Sequence, residues 1–255
     1  MTVELSTKFI EEIKRFDIIY CLISGGYHST TAALLLWYYG FTNVKLVHNK
    51  TFLELKSSLD TMKKLLAITK FEYLETTPNL KKENVWDILR RSFLRIPEVR
   101  EDIKNKKYDR SKFECCNKLK KFPAKKFYRK IRKVPDGEEI KSFIIISSIC
   151  PYESRFRNMH LHELRQKDTF LRLHKKAGDI WFGYPFRDAR SVKPFREYLF
   201  SKDFKEIKHS GCTACPIIIA FRMYDTAQYY LSSKAAVRAG LPCFQKTMED
   251  FIDGN

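Results

Sequence analysis

The chain has 255 residues, enough for one sizeable α/β domain, and no proline- or glycine-rich stretch divides it. Lys and Arg number 48 against 30 acidic residues, so the formal net charge is +18. No apolar run approaches the roughly 20 residues of a membrane span, and the first residues lack the apolar core of a signal peptide. These features argue against a membrane protein, and we expect a cytoplasmic protein with no membrane partner.

The seven cysteines are clustered and odd in number. In a chain of this size without an export signal, such a pattern favours metal or redox chemistry over a disulfide scaffold. Disulfides are the weaker interpretation.

Alternating apolar strands and amphipathic helices run through the first two thirds of the chain. Such alternation predicts a doubly wound parallel sheet covered by helices on both faces, a Rossmann-like α/β fold. The predicted strands are Asp17–Ile23, Val44–His48, Phe71–Glu75, Ser142–Ser148 and Asp179–Gly183. The predicted helices are Ser29–Tyr39, Leu53–Leu66 and Asn84–Leu94. We expect one domain over residues 1–255, with a nucleotide-binding core at about 10–190 and a cysteine-bearing, mainly helical C-terminal elaboration at about 191–255.

Positive charge is concentrated between Arg100 and Lys133, where 15 basic residues face 4 acidic ones, with aromatic residues interleaved. Such a segment can neutralise the phosphates of RNA or DNA. A solvated, lysine-rich helical face is the alternative interpretation.

A Ser-Gly-Gly turn separates the first predicted strand from the helix that follows. Backbone N–H groups in such a turn can approach an anion, and the helix N-terminus adds partial positive charge. The predicted phosphate-binding residues are Ser24, Gly25, Gly26, His28, Ser29 and Thr30.

Four ordered segments resemble the motifs of one family. SGGYHS is similar to the pyrophosphate loop of the adenine nucleotide alpha-hydrolase (PP-loop) superfamily. CCNKLKKFP, PYESRFR and HSGCTACP resemble later elements of its phosphoadenylyl sulfate (PAPS) reductase family. The resemblance extends from about Phe16 to Pro216. It implies a nucleotide alpha-hydrolase type of fold that binds ATP or phosphoadenylyl sulfate, with Mg²⁺ as a further cofactor in ATP-cleaving relatives.

Four cysteines, Cys115, Cys116, Cys212 and Cys215, match the ligand count of a structural zinc site and of a [4Fe–4S] cluster. Two sequence-adjacent thiolates do not easily occupy two corners of one tetrahedral ion, which favours the iron–sulfur cluster. Zinc and redox-active thiols remain the alternatives. The resemblance agrees, because iron–sulfur members of the family use the same arrangement.

Three positions depart from the family pattern. His28 stands where ATP-cleaving relatives have an aspartate, and histidine is a poor ligand for a hard cation. Cys150 stands where the family commonly has an arginine, so it is a candidate sulfur carrier or a buried thiol. Cys243 lies near the end of the chain, outside the tail motif that holds the reductase nucleophile. It is a candidate catalytic residue or a buried apolar thiol.

The resemblance also implies roles for other polar residues. The expected substrate and nucleotide contacts are Lys120, Glu153, Ser154, Arg157, Asn49 and Thr51. Arg187 is the expected second phosphate clamp, because its planar fork can bind a phosphate through two hydrogen bonds. His160 and His162 are interpreted as solvated helix residues.

Three functions follow as hypotheses. The first is sulfur transfer to a nucleic acid, in which ATP adenylates an acceptor atom and sulfur from a donor such as a cysteine desulfurase displaces the adenylate. The second is a sulfite-forming reductase of phosphoadenylyl or adenylyl sulfate, with a thioredoxin-like electron donor. The third is a non-catalytic module that binds nucleotides or nucleic acids. No sequence feature decides the oligomeric state, and a homodimer is one option.

Overall fold

The computed structural model describes residues 5–105, 107, 113–133, 141–153, 155–175, 178–189 and 215–216. Among these residues no helix is both long and apolar enough to cross a membrane. The expected helical elaboration at 191–255 lies outside the described residues, apart from 215–216.

Six strands and eight α-helices form the described part of the chain. The strands are β1 (Ile18–Ile23), β2 (Val44–Asn49), β3 (Glu72–Thr76), β4 (Phe143–Ile146), β5 (Leu171–His174) and β6 (Ile180–Gly183). The helices are α1 (Thr7–Lys14), α2 (Tyr27–Tyr38), α3 (Lys56–Thr69), α4 (Val85–Leu94), α5 (Ile96–Lys104), α6 (Glu114–Cys116), α7 (Phe122–Ile131) and α8 (Arg155–Gln166). A π-helical turn, Asn117–Lys121, follows α6, and a 3₁₀ turn, Pro151–Glu153, follows β4.

The sheet has the strand order β3-β2-β1-β4-β6-β5. All neighbouring strands are parallel except β5 and β6, which are antiparallel. The chain fills one side of β1 with β2 and β3, and then the other side with β4 and β6. The predicted doubly wound α/β fold is confirmed, and its topological switch point lies between β1 and β4, where ligands bind in sheets of this kind.

The described residues group into two compact units. Of the described residues, the sheet unit comprises 5–49, 56–76 and those between 125 and 189; the cysteine unit comprises 50–55, those between 77 and 124, and 215–216. In the sheet unit, β1 and β4 are almost wholly apolar and central, which is typical of a parallel strand covered on both faces. In the cysteine unit, apolar residues of α4 and α5 pack around Phe113, Cys115 and Leu119.

Two elements of the sheet unit were missed at the sequence level. Helix α1 buries Phe9 and Ile13, four residues apart, so its helical periodicity was readable. Strand β5 has four residues, LRLH, and alternates too briefly for a periodic signal. Its antiparallel pairing also departs from the expected all-parallel sheet.

Candidate functional site

The loop between β1 and α2 requires a glycine at position 25. Gly25 has φ +67°, in the left-handed region that favours glycine. A Cβ atom there would lie 2.1 Å from the carbonyl oxygen of Ser58 in α3. The backbone therefore passes close to α3, and both its conformation and this packing require glycine.

Hydroxyl groups fix the shape of this loop. The N–H of Ser24 donates to Ser29 Oγ at 3.1 Å, and Ser29 Oγ donates to the Gly26 carbonyl at 3.1 Å. Gly26 is the N-cap of α2 and has no side chain with which to cap the first N–H groups. Thr30 is fully buried and donates to the Gly26 carbonyl at 2.8 Å, which favours a structural role over contact with phosphate.

His28 meets residues that follow β4. Its Nδ1 lies 3.4 Å from Glu153 Oε1, and its Nε2 lies 2.5 Å from the Tyr152 hydroxyl. Glu153 also pairs with Arg157, one turn along α8, and its Oε2 accepts the Cys150 N–H at 2.8 Å. Because β1 and β4 are parallel neighbours, the segments after both strands meet at the switch point. The structure thus brings together four of the predicted site residues.

Cys150 is fully buried beside this group. Burial, followed by the nearby Glu153 carboxylate, raises the pKa of its thiol to about 12. A thiol of that pKa is protonated at neutral pH and is a weak nucleophile. With no bound ion, these surroundings disfavour the predicted role of Cys150 as a sulfur carrier.

The predicted adenosine contacts lie in different units. In the sheet unit, Asn49 Oδ1 accepts a hydrogen bond from Thr76 at 2.7 Å. In the cysteine unit, the buried Thr51 donates to Glu54 Oε1 through its backbone N–H and its hydroxyl. Their nucleotide contacts remain predictions.

Arg187 is held inside the sheet unit and is 7% exposed. Its Nε and Nη2 donate to the Asp188 carboxylate, its Nη1 donates to the Thr169 carbonyl at 2.9 Å, and the guanidinium stacks 3.8 Å from the Phe170 ring centroid. The planar guanidinium group, which suggested a phosphate clamp, is thus bound to the Asp188 carboxylate. The geometry favours a structural ion pair and disfavours the clamp.

Cys115 and Cys116 are buried in the cysteine unit, at the start of a helical segment that contains a π-helical turn. The buried Ser92 hydroxyl on α4 accepts the Cys115 N–H at 3.0 Å. The half-buried Lys120 lies in the π-helical turn, a type of distortion frequent at functional sites. Cys215 is partly buried. The predicted site residues Cys212, Cys243 and Ser154 lie outside the described residues.

An ion-pair network adjoins the cysteine pair within the same unit. Glu83 pairs with Arg91 and Lys118, and Glu114 pairs with the same two cations. A hydrogen bond from Lys118 is the main cause of the lowered pKa of Glu83, and one from Arg91 has the same effect on Glu114. Both carboxylates are therefore ionised at neutral pH, and part of the basic segment is neutralised locally.

An open cleft of about 600 Å³ lies in the cysteine unit, at the start of α4. Its lining includes Phe52, Leu80, Lys82 and Trp86. Phe52 is 50% exposed and has φ +64°, an uncommon conformation for a bulky residue. The ammonium group of Lys50 lies 5.5 Å from the centroid of its ring. An aromatic face with nearby cations is suited to stacking on a nucleobase.

Sequence reasoning also missed a histidine cluster in the sheet unit. His160 Nε2 and His174 Nε2 lie 3.0 and 2.8 Å from the Tyr184 hydroxyl, and Arg172 Nη1 lies 3.1 Å from His160 Nδ1. Burial is the first cause of the lowered pKa of both histidines. The interpretation of His160 as a solvated residue is wrong, because its ring packs against Tyr184. His162 is exposed, as expected.

No family model and no curated protein matches the sequence. Among solved structures, the chain is similar to a phosphoadenylyl-sulfate (PAPS) reductase from Candida auris in a phosphate complex. The identity is 12%, the TM-score is 0.49, and the match covers 77% of this chain and 79% of that one.

It is also similar to an NH3-dependent NAD synthetase from Campylobacter jejuni subsp. jejuni, in complex with nitrate. The identity is 16%, the TM-score is 0.41, and the match covers 95% of this chain and 89% of that one.

Proposed function

We propose that this protein binds an adenine nucleotide on the loop after β1 and uses it to activate a nucleic acid for sulfur transfer. The proposal assigns nucleotide binding to the sheet unit and sulfur chemistry to the cysteine unit. It treats the chain as an enzyme similar to the PAPS reductase family.

The observation that carries the nucleotide part is the loop itself. Gly25, at positive φ and close to α3, follows the central strand, and Gly26 leaves the first turn of α2 without a side-chain cap. Both features lie at the switch point of the sheet. An anion held there would accept hydrogen bonds from the first N–H groups of α2 and would be stabilised by the helix dipole.

The sulfur-transfer part of the proposal depends on which cysteine thiols are available as cluster ligands. Cys115 and Cys116 are adjacent, buried thiols, which suits separate irons of a cluster better than one tetrahedral ion. Cys212 and Cys215 would complete four ligands. A bound [4Fe–4S] cluster would supply a site for binding sulfur, and the protein's own residues would position nucleotide and acceptor; zinc at the same cysteines would be structural instead.

The nucleic-acid part is supported by charge and by the cleft near Phe52. The chain carries +18, and the segment from Arg100 to Lys133 holds much of the excess. The cleft offers the exposed ring of Phe52 and one lysine, Lys82, together with the acidic Glu83 and Asp87, and Lys50 lies near the ring. An aromatic ring with cations nearby is the pairing that binds single-stranded bases with little sequence preference.

The proposed reaction has two steps. A carbonyl oxygen of the acceptor attacks the α-phosphorus of ATP, and pyrophosphate leaves. The terminal sulfur of a persulfide donor then attacks the carbon that bears the adenylated oxygen, AMP leaves with that oxygen, and a thiol reductant cleaves the S–S bond to the donor and releases the thiolated product. In the first step Ser24 and the N-terminus of α2 would hold the leaving pyrophosphate, which develops negative charge.

The test is anaerobic calorimetric titration of the cluster-loaded protein with Mg–ATP and, separately, with phosphoadenylyl sulfate. We expect preference for ATP, and an affinity loss of about tenfold in Ser24→Ala, which removes a hydroxyl from the loop. Ser6→Ala is the matched control, because Ser6 is exposed and makes no capping bond at α1. Binding of neither nucleotide would overturn the proposal and favour a non-catalytic module.

One observation favours a second candidate, a phosphoadenylyl or adenylyl sulfate reductase. His28 pairs with Glu153 where an ATP-cleaving relative would have an aspartate for magnesium. A reductase receives an activated nucleotide and needs no such ligand. Preference for phosphoadenylyl sulfate in the same titration, with sulfite formed in the presence of thioredoxin, would favour this candidate.

A further inference from the structure

We propose that His28, Cys150 and Glu153 form a binding site for a divalent transition-metal ion of the zinc type at the switch point. The inference goes beyond the proposed function, because it does not depend on which nucleotide or acceptor the protein uses. The site is separate in sequence from the four cysteines predicted to hold a cluster.

The three ligand atoms already lie close together. One atom each from His28, Cys150 and Glu153 falls within 4.8 Å of the others, and this is the one such group among the described residues. His28 Nδ1 and Glu153 Oε1 are 3.4 Å apart. Nitrogen and oxygen ligands about 2.0–2.1 Å from a tetrahedral zinc ion would be about 3.4 Å apart. Two of the ligands thus have the separation that the ion requires.

The chemistry of the ligands selects the ion. An imidazole, a thiolate and a carboxylate together suit zinc and its neighbours in the transition series, whereas magnesium prefers an oxygen shell. Binding converts the Cys150 thiol to a thiolate and releases its proton to solvent.

Surrounding hydrogen bonds orient two of the ligands. His28 Nε2 lies 2.5 Å from the Tyr152 hydroxyl, so Nδ1 is the ring nitrogen that faces Glu153. Glu153 Oε2 accepts the Cys150 N–H, and Oε1 lies toward His28, where it also pairs with Arg157 Nη1. Outer partners of this kind are usual for metal-binding histidines and carboxylates.

Three protein ligands leave a fourth position for an exogenous group, as in catalytic zinc sites. A divalent ion is neutralised by one thiolate and one carboxylate, and Arg157, paired with Glu153, adds a positive charge. The fourth ligand is therefore expected to be anionic, and a phosphate oxygen fits both the charge and the adjoining loop. Ser148 Oγ, two residues before Cys150, is buried without a hydrogen-bond partner among the described residues, leaving a donor near the same strand end.

The same site accounts for two of the sequence departures together. His28 and Cys150 replace an aspartate and an arginine of the family pattern, and they are 122 positions apart in the chain. The fold brings both beside Glu153.

The test is zinc binding by the anaerobic, cluster-loaded protein without nucleotide. Zinc and iron per chain are measured by mass spectrometry, and affinity by competition with a chromogenic chelator. The variants are His28→Asn, Cys150→Ser and Tyr152→Phe. His162→Asn is the matched control, because His162 is exposed on α8.

We expect His28→Asn and Cys150→Ser each to lose one zinc per chain at unchanged iron content, and Tyr152→Phe to weaken zinc binding about 10- to 100-fold. Cobalt(II) in place of zinc should give a thiolate charge-transfer band that Cys150→Ser lacks. Equal zinc content and affinity in wild type and His28→Asn would overturn the proposal. The exposed Tyr152 keeps the test valid if Cys150→Ser does not fold. Nucleotide titration of the same samples reports on the proposed function independently.

Discussion

The loop after β1 and the turn at Cys115 are the two regions proposed to bind a ligand, and different interactions hold them in place. The loop is shaped by backbone geometry: a glycine at positive φ packs against a carbonyl of α3. The cysteine turn is shaped by side chains: a buried serine binds its N–H, and four charged residues brace the segment.

This difference predicts how each region responds to change. A backbone segment packed against a carbonyl group cannot move aside as a flexible side chain can, so a small substitution should have a large effect on stability. A network of half-exposed ion pairs is redundant and hydrated, so the loss of one member should have a small effect. The predictions below test this contrast.

The largest effect is expected for Gly25→Ala. The new Cβ would meet the Ser58 carbonyl at 2.1 Å, and the residue would keep an unfavourable φ of +67°. We expect a loss of about 3 kcal/mol in the free energy of unfolding, from strain plus overpacking. Nucleotide affinity should fall more than in Ser24→Ala. Chemical denaturation and calorimetry measure the two quantities.

Gly40→Ala is the matched control for this prediction. Gly40 also has positive φ, +76°, but a Cβ there would meet no atom within 4 Å. It should cost only the conformational strain, about 1 kcal/mol, with unchanged nucleotide binding. Equal losses in both variants would show that the approach to Ser58 is not what fixes the loop.

The second effect is expected for Ser92→Ala in the cysteine unit. Ser92 is fully buried, accepts the Cys115 N–H and donates to the Ile88 carbonyl at 3.1 Å. Removing the hydroxyl takes away two hydrogen bonds in a buried position, which costs about 1–3 kcal/mol. Iron retention after gel filtration should fall as well. If Ser92→Ala kept its full iron content and normal stability, the hydrogen bond to the Cys115 N–H would have no role in binding the cluster.

Much of the fold could be predicted from the sequence because its signals are local. The strands IIYCLI and FIII are apolar on both faces, and each is bounded by polar residues. Strand β5 and the two-unit grouping depend instead on pairing and contacts between distant segments, which periodicity does not encode.

The candidate site was predictable to the extent that its residues lie in motifs. Glycines at a strand end and paired cysteines carry their chemistry in their spacing. The contact of His28 with Glu153 depends on tertiary structure. The pairing of Arg187 with Asp188 is between neighbours in the sequence, but the burial that holds it in place is not readable from the motif. Arg187 shows the limit of motif reasoning, since a fork that fits phosphate also fits a neighbouring carboxylate.

A smaller loss of stability is expected when the pH is lowered, because the two histidines of the histidine cluster, His160 and His174, become protonated. Arg172 can donate to His160 Nδ1 only when that nitrogen carries no proton, and a neutral His174 can accept from Tyr184. Because the pKa of both histidines is lowered, their unfolded forms bind protons first as the pH falls below 6.5. The stabilisation from these hydrogen bonds is therefore complete above pH 6.5. It declines below that pH, by about 1 kcal/mol per hydrogen bond broken.

Thermal unfolding of wild type and His174→Gln between pH 7.5 and 5 measures this decline. The variant should show a shallower dependence, because it has one fewer group to protonate. His162→Asn should keep the wild-type slope, since His162 is exposed. A slope unaffected by His174→Gln would exclude this cluster as its source.

The smallest effect is expected for Glu83→Gln, which weakens the pairs with Arg91 and Lys118. The lost stability should be below about 1 kcal/mol and should shrink at high salt, because these side chains are partly hydrated. Since the pKa of Glu83 is lowered, its stabilisation is complete above the ordinary value of 4.5 and is lost as the pH falls through the lowered value. Glu101→Gln, from an exposed pair with Lys104, is the control. A loss from Glu83→Gln as large as that from Ser92→Ala would mean that the charged network, and not the buried serine, positions the cysteine turn.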